Sequence, residues 1–172
     1  MPDMYVVQKE ADGSLRARPV ADGAGLAREL REAGWIDRVL KAKAEAGADP
    51  SAVVVAGGRG MGSAENFRLL FALAEALGGK VGATRPAVAA GWAAYELKIG
   101  RTGQTVSPKV YIACGISGAV QHLAGVRAEL FLAVNRDADA PVFQVADCGI
   151  IGDAARVVPE LIKIFSSKNQ GG

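Results

Sequence analysis

After the first 50 residues, short apolar runs alternate along the chain with segments whose apolar positions recur at helical spacing. The runs at 53–55, 110–114 and 130–134 are apolar throughout, which is typical of strands buried on both faces. Between the first two, apolar residues recur every three or four positions from Phe67 to Leu77, with Ser63 as a candidate cap. Few hairpin signals interrupt the alternation. The pattern predicts an α/β fold with a parallel sheet and helices on both faces.

The first 50 residues have a different pattern and predict a short, divergent α/β segment. Its predicted elements are a strand at 4–8, a turn at Asp12-Gly13, and helices at 25–32 and 35–46. The stretch 47–50, Gly-Ala-Asp-Pro, breaks the helical pattern and predicts a boundary. We therefore expect an N-terminal segment at 1–50, a main domain at 51–165 and a flexible tail at 166–172.

Four further elements follow from shorter signals. Val81–Ala83 and Val142–Val145 are predicted as short strands. Pro86 suits the first turn of a helix, because its missing N–H would have no partner there. At the end of the chain, Asp153 is a candidate cap, and Pro159 is expected in the first turn of the last helix.

The stretch 115–125, which directly follows the buried run at 110–114, is the most informative part of the sequence. Gly115 and Gly118 carry no side chain, so a ligand can approach the backbone closely there. Ser117 is a candidate cap for a helix starting at this point. Free N–H groups at a helix start after a strand favour an anion. Strand, glycine turn and helix together predict a place where a phosphate or an electron-rich ring is held.

Polar side chains follow the predicted strands, each near the point where a strand ends. In a parallel sheet these points share one edge, which is where ligands of such folds bind. The residues concerned are Arg59, Arg85, Ser117, His122, Asn135 and Asp147. Taken singly, some of the polar residues also fit an ordinary structural role: Arg85 at the surface, His122 half-buried in a core, and Asp147 and Asp153 as a loop carboxylate and a helix cap. Their convergence predicts a ligand site.

Several classes of protein are disfavoured. The glycines of 57–60 match neither a dinucleotide fingerprint nor a P-loop and also suit an ordinary strand-to-helix turn, although Arg59 among them suits a phosphate. Ser117 and His122 lack the glycine pattern and chain order of a hydrolase.

One histidine and scattered acids argue against a transition-metal site. A net charge of +2 argues against nucleic acid, and no apolar stretch suits membrane insertion. Two unpaired cysteines suit a reducing cytoplasm.

Six motifs, read in order, resemble the C-terminal FAD-binding domain of the electron transfer flavoprotein alpha subunit. The resemblance covers about residues 51–165, and the order of the blocks makes it specific. The blocks are VVVAGGRGMGSAENF (53–67), VGATR (81–85), IGRTG (99–103), GISGAVQHLAG (115–125), AVNRD (133–137) and PVFQVADCGI (141–150).

The resemblance implies a Rossmann-like domain that binds FAD non-covalently, with roles assigned by position. Arg59 and the turn from Ser117 through Gly118, Ala119, Val120 and Gln121 to His122 would follow the FAD, with backbone groups at the pyrophosphate. Thr84 and Arg85 would lie near the isoalloxazine ring. In the loop Ile99, Gly100, Arg101, Thr102, the threonine hydroxyl would point to flavin N5. His122 would lie near the pyrimidine carbonyl, and Asn135 and Asp153 at the adenosine.

The implied function is electron transfer between a dehydrogenase and a quinone-reductase-type acceptor, through a flavin with a stabilised anionic semiquinone. A guanidinium and an imidazole beside the ring would favour that charge. The family usually has glutamine where Arg101 stands, and the added cation would raise the potential further or turn to solvent. The family also has an N-terminal domain and a beta subunit. A stand-alone version or a domain supplied by another chain is therefore implied, with a beta-like partner or a homodimer.

Two rival functions stay open. In the first, the chain is a non-redox module that holds FAD, NAD or AMP for regulation or assembly. In the second, it is an enzyme that uses a bound dinucleotide on its own substrate. Ring-side polar groups at Arg85, Thr102 and His122 favour the electron carrier, because binding alone does not need them. No residue constellation beyond the flavin set supports an enzyme.

Overall fold

The structure, a computed structural model, describes the backbone of residues 4–170 and the side chains of residues 4–166. Its strands are β1 (Met4–Lys9), β2 (Leu15–Val20), β3 (Val53–Gly57), β4 (Lys80–Ala83), β5 (Val110–Cys114), β6 (Leu130–Asn135) and β7 (Cys148–Ile151). Its helices are α1 (Gly23–Glu32), α2 (Trp35–Ala46), α3 (Ala64–Phe67), α4 (Leu69–Leu77), α5 (Arg85–Ala89), α6 (Val120–Leu123), α7 (Val142–Val145) and α8 (Ala154–Gln170). Single 3₁₀ turns lie at Pro50–Ala52, Arg59–Met61 and Tyr95–Leu97.

The seven strands form one sheet in the order β2-β1-β7-β6-β5-β3-β4. Strands β3 to β7 are parallel to one another, and β1 is antiparallel to both β7 and β2. After β3, the chain forms β4 on one side of β3 and then crosses over to form β5 on the other side of β3. The topological switch point, where ligands of open α/β sheets bind, is therefore the gap between the carboxyl ends of β3 and β5. The predicted α/β fold with a parallel sheet is confirmed.

Alternate residues of the parallel strands point into two apolar cores, one on each face of the sheet. Val53 and Val55 join the larger core, which also takes in Leu70 of α4 and Leu161 of α8. Val54, Tyr111 and Phe131 point into the second core together with Ile99, Ile116 and Phe143. Because both faces are covered, the strands carry no polar alternation, which explains the continuous apolar runs in the sequence.

The N-terminal segment is part of the same sheet. β1 pairs with β7, and Val6, Leu26 and Trp35 belong to the larger apolar core. The predicted strand, turn and two helices of this segment are present. Strand β2 was not predicted, because it lies at the edge of the sheet and most of its residues are exposed. The domain boundary at residue 50 stays a prediction. So does the flexible tail at 166–172: α8 runs to Gln170, and 171–172 lie outside the described residues.

Three local predictions were wrong. Residues 142–145 form α7 and not a strand, because a four-residue apolar run carries no periodicity and Pro141 in helical conformation starts a turn. Pro159 lies inside α8, which begins at Ala154 directly after its cap Asp153. The single helix expected after Ser63 is two segments, α3 and α4, that join at Arg68, although Ser63 does cap the first of them.

Within residues 4–170, no helix has both the length and the apolar character that crossing a lipid bilayer requires.

Candidate functional site

A cavity of about 680 Å³ opens at the switch point between β3 and β5. Its volume is within the range of roughly 300–1,000 Å³ that is common for cofactor pockets. The residues around it come from the loops that follow β3, β4, β5 and β6 and from the loop at 98–102. Of the predicted site residues, Arg59, Thr84, Arg85, Ile99, Gly100, Arg101, Thr102, Ser117, Ala119, Gln121, His122 and Asn135 line it.

Two glycine loops meet backbone to backbone at this cavity. The N–H of Gly58 donates to the carbonyl of Cys114 (3.0 Å), and the N–H of Gly60 donates to that of Gly115 (2.9 Å). Gly115 has a φ of +67°, and a Cβ there would lie 2.6 Å from the carbonyl carbon of Gly60. Only glycine fits such a contact, which brings the ends of β3 and β5 together.

The segment after β5 presents backbone donors without acceptors. Among the described residues, none accepts a hydrogen bond from the six successive N–H groups of Ile116, Ser117, Gly118, Ala119, Val120 and Gln121. Ile116 and Gly118 are buried, and unpaired N–H groups at buried residues are unusual. A ligand with anionic oxygens would satisfy these donors, so the segment fits a phosphate group.

Ser117 does not cap α6 as predicted. The helix starts three residues later, at Val120, with Ala119 at the cap position and no side-chain hydrogen bond. Gly118 lies between with a φ of +94°, where its backbone packs against Val142, and the carbonyl of Ser117 accepts from the N–H of Val142 (2.9 Å). Ser117 itself lines the cavity, and its hydroxyl has no hydrogen-bond partner among the described residues.

Thr84 and Arg85 stand together at the start of α5. Thr84 is buried, and its hydroxyl accepts from the N–H of Ala87 (3.3 Å), which makes it the cap of α5. Arg85, the first residue of the helix, is exposed and lines the cavity. The cap therefore fixes the backbone from which the guanidinium reaches the cavity.

The loop at 98–104 forms a wall of the cavity and is held by main-chain bonds on both sides. The N–H of Ile99 donates to the carbonyl of Ala83 (2.9 Å), at the end of β4. The N–H of Arg101 donates to the carbonyl of Gln121 (2.8 Å), in α6. Because it is fastened at both places, the loop presents Arg101 and Thr102 from a defined backbone.

His122 is buried, and both of its ring nitrogens have partners in the protein. Nδ1 lies 3.1 Å from the carbonyl oxygen of Ile99, and Nε2 lies 2.6 Å from the hydroxyl of Tyr111. Burial lowers the pKa of His122, an effect that the hydrogen bond to Ile99 partly offsets. The imidazole is therefore neutral at pH 7.

Asn135 uses its whole amide inside the protein. Its Nδ2 donates to the carbonyl of Ile116 (3.0 Å), and its Oδ1 accepts from the N–H of Asp137 (2.9 Å). The side chain therefore braces the loop after β5 against the loop after β6, and it lines the cavity from this position.

Gly118, Val120 and Asp153 lie outside the set of residues that line the cavity. Val120 points to solvent, with 69% of its surface exposed, and Asp153 caps α8 through the N–H of Ala155. Asp147 precedes β7 and binds the N–H of Phe131 at the start of β6. Its expected place among the ligand-side residues was wrong, because α7 occupies the stretch read as a strand, so Asp147 lies at the opposite edge of the sheet.

Sequence reasoning missed Tyr111, Lys98 and Asp137. Lys98 and Asp137 line the cavity. Lys98 directly precedes the motif at 99–103 and Asp137 is the last residue of the motif at 133–137, so their place in or beside a motif was the available signal. Tyr111 gave no signal, since an aromatic residue inside an apolar run reads as core. Cys114 ends β5 beside the cavity, but burial raises the pKa of its thiol to about 12, so it stays protonated.

Cations outnumber acids around the cavity. Arg59, Arg85, Lys98 and Arg101 line it, against the single carboxylate of Asp137. Within the described part of the chain, none of these four cations forms an ion pair. Together with the unpaired N–H groups, the cavity therefore favours an anionic ligand.

Comparison with known proteins gives the same family as the motifs. Residues 49–127 match the family described as the electron transfer flavoprotein FAD-binding domain. The alpha subunit of mitochondrial electron transfer flavoprotein from Arabidopsis thaliana is 53% identical over 117 residues, 67% of this chain and 32% of that protein. The alpha subunit from Clostridium acetobutylicum is 48% identical over 136 residues, 78% of this chain and 40% of that protein.

A third alpha subunit, from Mycobacterium tuberculosis, is 50% identical over 117 residues, which are 67% of this chain and 37% of that protein. The chain thus spans about a third of the length of the curated relatives it matches. The matched segment contains β3, β4 and β5 and most of the cavity wall. Through this segment, the chain is similar to the FAD-binding domain of the electron transfer flavoprotein alpha subunit.

Proposed function

We propose that the chain binds FAD in the cavity between β3 and β5 and carries electrons between redox proteins. The observation that carries the proposal is the row of unpaired N–H groups at 116–121. Four of its residues, Ile116, Ser117, Ala119 and Gln121, line a cation-rich cavity inside the segment that matches the family. A dinucleotide supplies the anionic oxygens that such donors need. Bound flavin would supply the chemistry, because its ring takes up electrons one or two at a time.

The residues suggest how FAD would be held. The N–H groups of 116–121 and the guanidinium of Arg59 would bind the pyrophosphate. The ring would lie toward Thr84, Arg85 and the loop with Arg101 and Thr102. Asn135 would support the adenosine side through the loops that it braces, and Asp153 would contribute there through the start of α8.

The unpaired cations would tune the redox step. Arg85 and Arg101 near the ring would favour the anionic semiquinone over the oxidised form. A charge pair about 4 Å apart at an effective dielectric constant near 20 is worth roughly 4 kcal/mol, which is enough to change a redox equilibrium strongly. His122 would contribute as a neutral group.

We also propose partners for this role. A beta-like subunit or a second copy of the chain would complete the binding site. A dehydrogenase would donate electrons, and a quinone-reductase-type protein would accept them. The two buried free thiols support a reducing compartment such as the cytoplasm.

Ligand competition tests the proposal against a non-redox nucleotide module. The purified protein, stripped of any ligand, is titrated with FAD, NAD and AMP, and binding is followed by calorimetry and flavin fluorescence. We expect FAD to bind much more tightly than AMP or NAD, because the ring adds contacts that the adenosine half lacks. Arg59→Gln should weaken FAD binding, whereas Arg28→Gln on α1 should not. Equal affinity for AMP would instead support the nucleotide module, and no binding of FAD would reject the proposal.

A further inference from the structure

We propose that Asn66 is a positioning residue for the cavity: its side-chain amide holds the turn that carries Arg59, and so keeps that guanidinium at the wall where a pyrophosphate would bind. Asn66 itself does not line the cavity. The inference deepens the proposed function and rests on it for the identity of the ligand. The hydrogen bonds are internal to the protein, so their effect on the turn can be measured without FAD.

On the side toward β5, the turn that carries Arg59 is held by main-chain bonds. The N–H groups of Gly58 and Gly60 donate to the carbonyls of Cys114 (3.0 Å) and Gly115 (2.9 Å). Arg59 lies between them, exposed, and its guanidinium has no ion pair or hydrogen bond among the described residues. No side chain therefore fixes the guanidinium, and its position depends on the backbone of the turn.

On the side toward α3, the turn is held by Asn66. Its Nδ2 donates to the carbonyl of Met61, the last residue of the turn (2.9 Å). The carbonyl can only accept, so the donor has to be the nitrogen of the side-chain amide. The main-chain N–H of Asn66 donates to Oγ of Ser63 (3.0 Å), the cap of α3. One residue thus connects the first turn of α3 to the turn that precedes it.

The bond from Asn66 continues to Arg59 through a single peptide group. The carbonyl of Met61 and the N–H of Gly62 belong to the same peptide plane. That N–H donates to the carbonyl of Arg59 (3.0 Å). A fixed orientation of this plane therefore fixes the carbonyl of Arg59 as well.

Without the Asn66 amide, this peptide plane would lose its orientation. Met61 is fully buried, and no other group among the described residues donates to its carbonyl. A buried carbonyl without a partner is costly, so the peptide would rotate toward water. Gly62, with a φ of +89°, lacks the side chain that would resist such a rotation. The rotation would break the bond from Gly62 to Arg59 and release the turn.

Amide hydrogen exchange in the flavin-free protein tests this effect on the backbone. We expect Asn66→Ala to speed exchange of the Gly62 N–H roughly fivefold to tenfold, the effect of losing one hydrogen bond. Glu65→Ala, the same truncation at an exposed neighbour in α3, should keep the wild-type rate. An unchanged rate in Asn66→Ala would overturn the proposal. Should that variant not fold, the side-chain amide of wild-type Asn66 decides: protection supports the bond, and exchange at the rate of a free amide overturns it.

A double-mutant cycle on FAD affinity then tests whether Asn66 acts through Arg59. We expect Asn66→Ala to weaken FAD binding several-fold in the wild-type protein and to have almost no further effect in Arg59→Gln. Glu65→Ala should leave the affinity unchanged. Equal losses in both backgrounds would overturn the positioning role, because a general loss of structure is additive. No FAD binding by the wild-type protein would reject the proposed function, while the exchange rate of Gly62 would still decide whether Asn66 holds the turn.

Discussion

The backbones of Gly60 and Gly115 touch where two strands end, with the N–H of Gly60 donating to the carbonyl of Gly115 across 2.9 Å. This contact joins the loop after β3 to the loop after β5 at the switch point of the sheet. It leaves the following segment, 116–121, with its N–H groups turned away from other acceptors among the described residues. The proposed anion binding at the cavity therefore depends on a contact that tolerates no side chain.

Substitution at this contact tests that dependence. Gly115→Ala adds left-handed strain of about 1–2 kcal/mol and a clash worth roughly 1–3 kcal/mol more, so we expect clear destabilisation and loss of FAD binding. Gly91→Ala is the matched control, because Gly91 also has a positive φ (+81°) but no atom within 4 Å of the added Cβ. Urea unfolding and FAD titration of both variants measure the difference. Equal effects in the two variants would mean that the loop contact is unimportant.

Replacement of Arg85 by lysine should keep FAD bound but lower the potential of the first electron. The charge is retained, whereas the planar fork that fits an oxygen edge is lost. We expect a drop of tens of millivolts, where about 59 mV corresponds to a tenfold change in the one-electron equilibrium. Arg68→Lys, an exposed arginine outside the cavity wall, is the control. Potentiometry with dye mediators gives both values, and identical potentials would remove Arg85 from the ring side.

Arg101→Gln should also lower the first potential, because it removes one of four cations that line the cavity. The loss of a cation at this wall destabilises added negative charge on a ligand. Arg28→Gln on α1 changes the net charge equally but at a distance, so it should leave the potential almost unchanged. If Arg101→Gln behaves like Arg28→Gln in the same potentiometric titration, Arg101 faces solvent.

The low pKa of His122 predicts a pH-dependent stability. Unfolding exposes the imidazole, which then takes up a proton near its ordinary pKa of about 6.5, whereas the folded protein does so only at lower pH. Protonation therefore stabilises the unfolded state as pH falls through this window, and the free energy of unfolding decreases. His122→Asn keeps a donor toward Ile99 but does not titrate. Urea unfolding at pH 8 and pH 5 should show a smaller decline for the variant, and parallel declines would contradict the prediction.

The sequence predicted those parts of the fold in which local pattern and final environment agree. The valines of β3 and the apolar run of β5 are buried on both faces, and they read as such. Residues 142–145 have the same apolar character, but only tertiary packing of Val142 and Phe143 under the sheet decides that they form a helix. β2 was missed because an edge strand has little apolar alternation to detect.

The site was predictable to the extent that its residues follow strands. Arg59 and Arg85 line the cavity because a parallel sheet gathers the ends of β3 and β4 at one edge. Tyr111 was not predictable, since its role depends on which face of β5 it occupies and on α6 lying above that face. The charge state of His122 was also beyond the sequence, because burial and two specific partners determine it.

The most direct test of the flavin site is a dithionite titration of the purified, FAD-reconstituted protein under anaerobic conditions, followed by visible absorption. A protein that holds FAD among Arg59, Arg85 and Arg101 should be yellow after gel filtration and should pass through a red anionic intermediate before bleaching. A protein that elutes colourless after incubation with excess FAD would contradict the account.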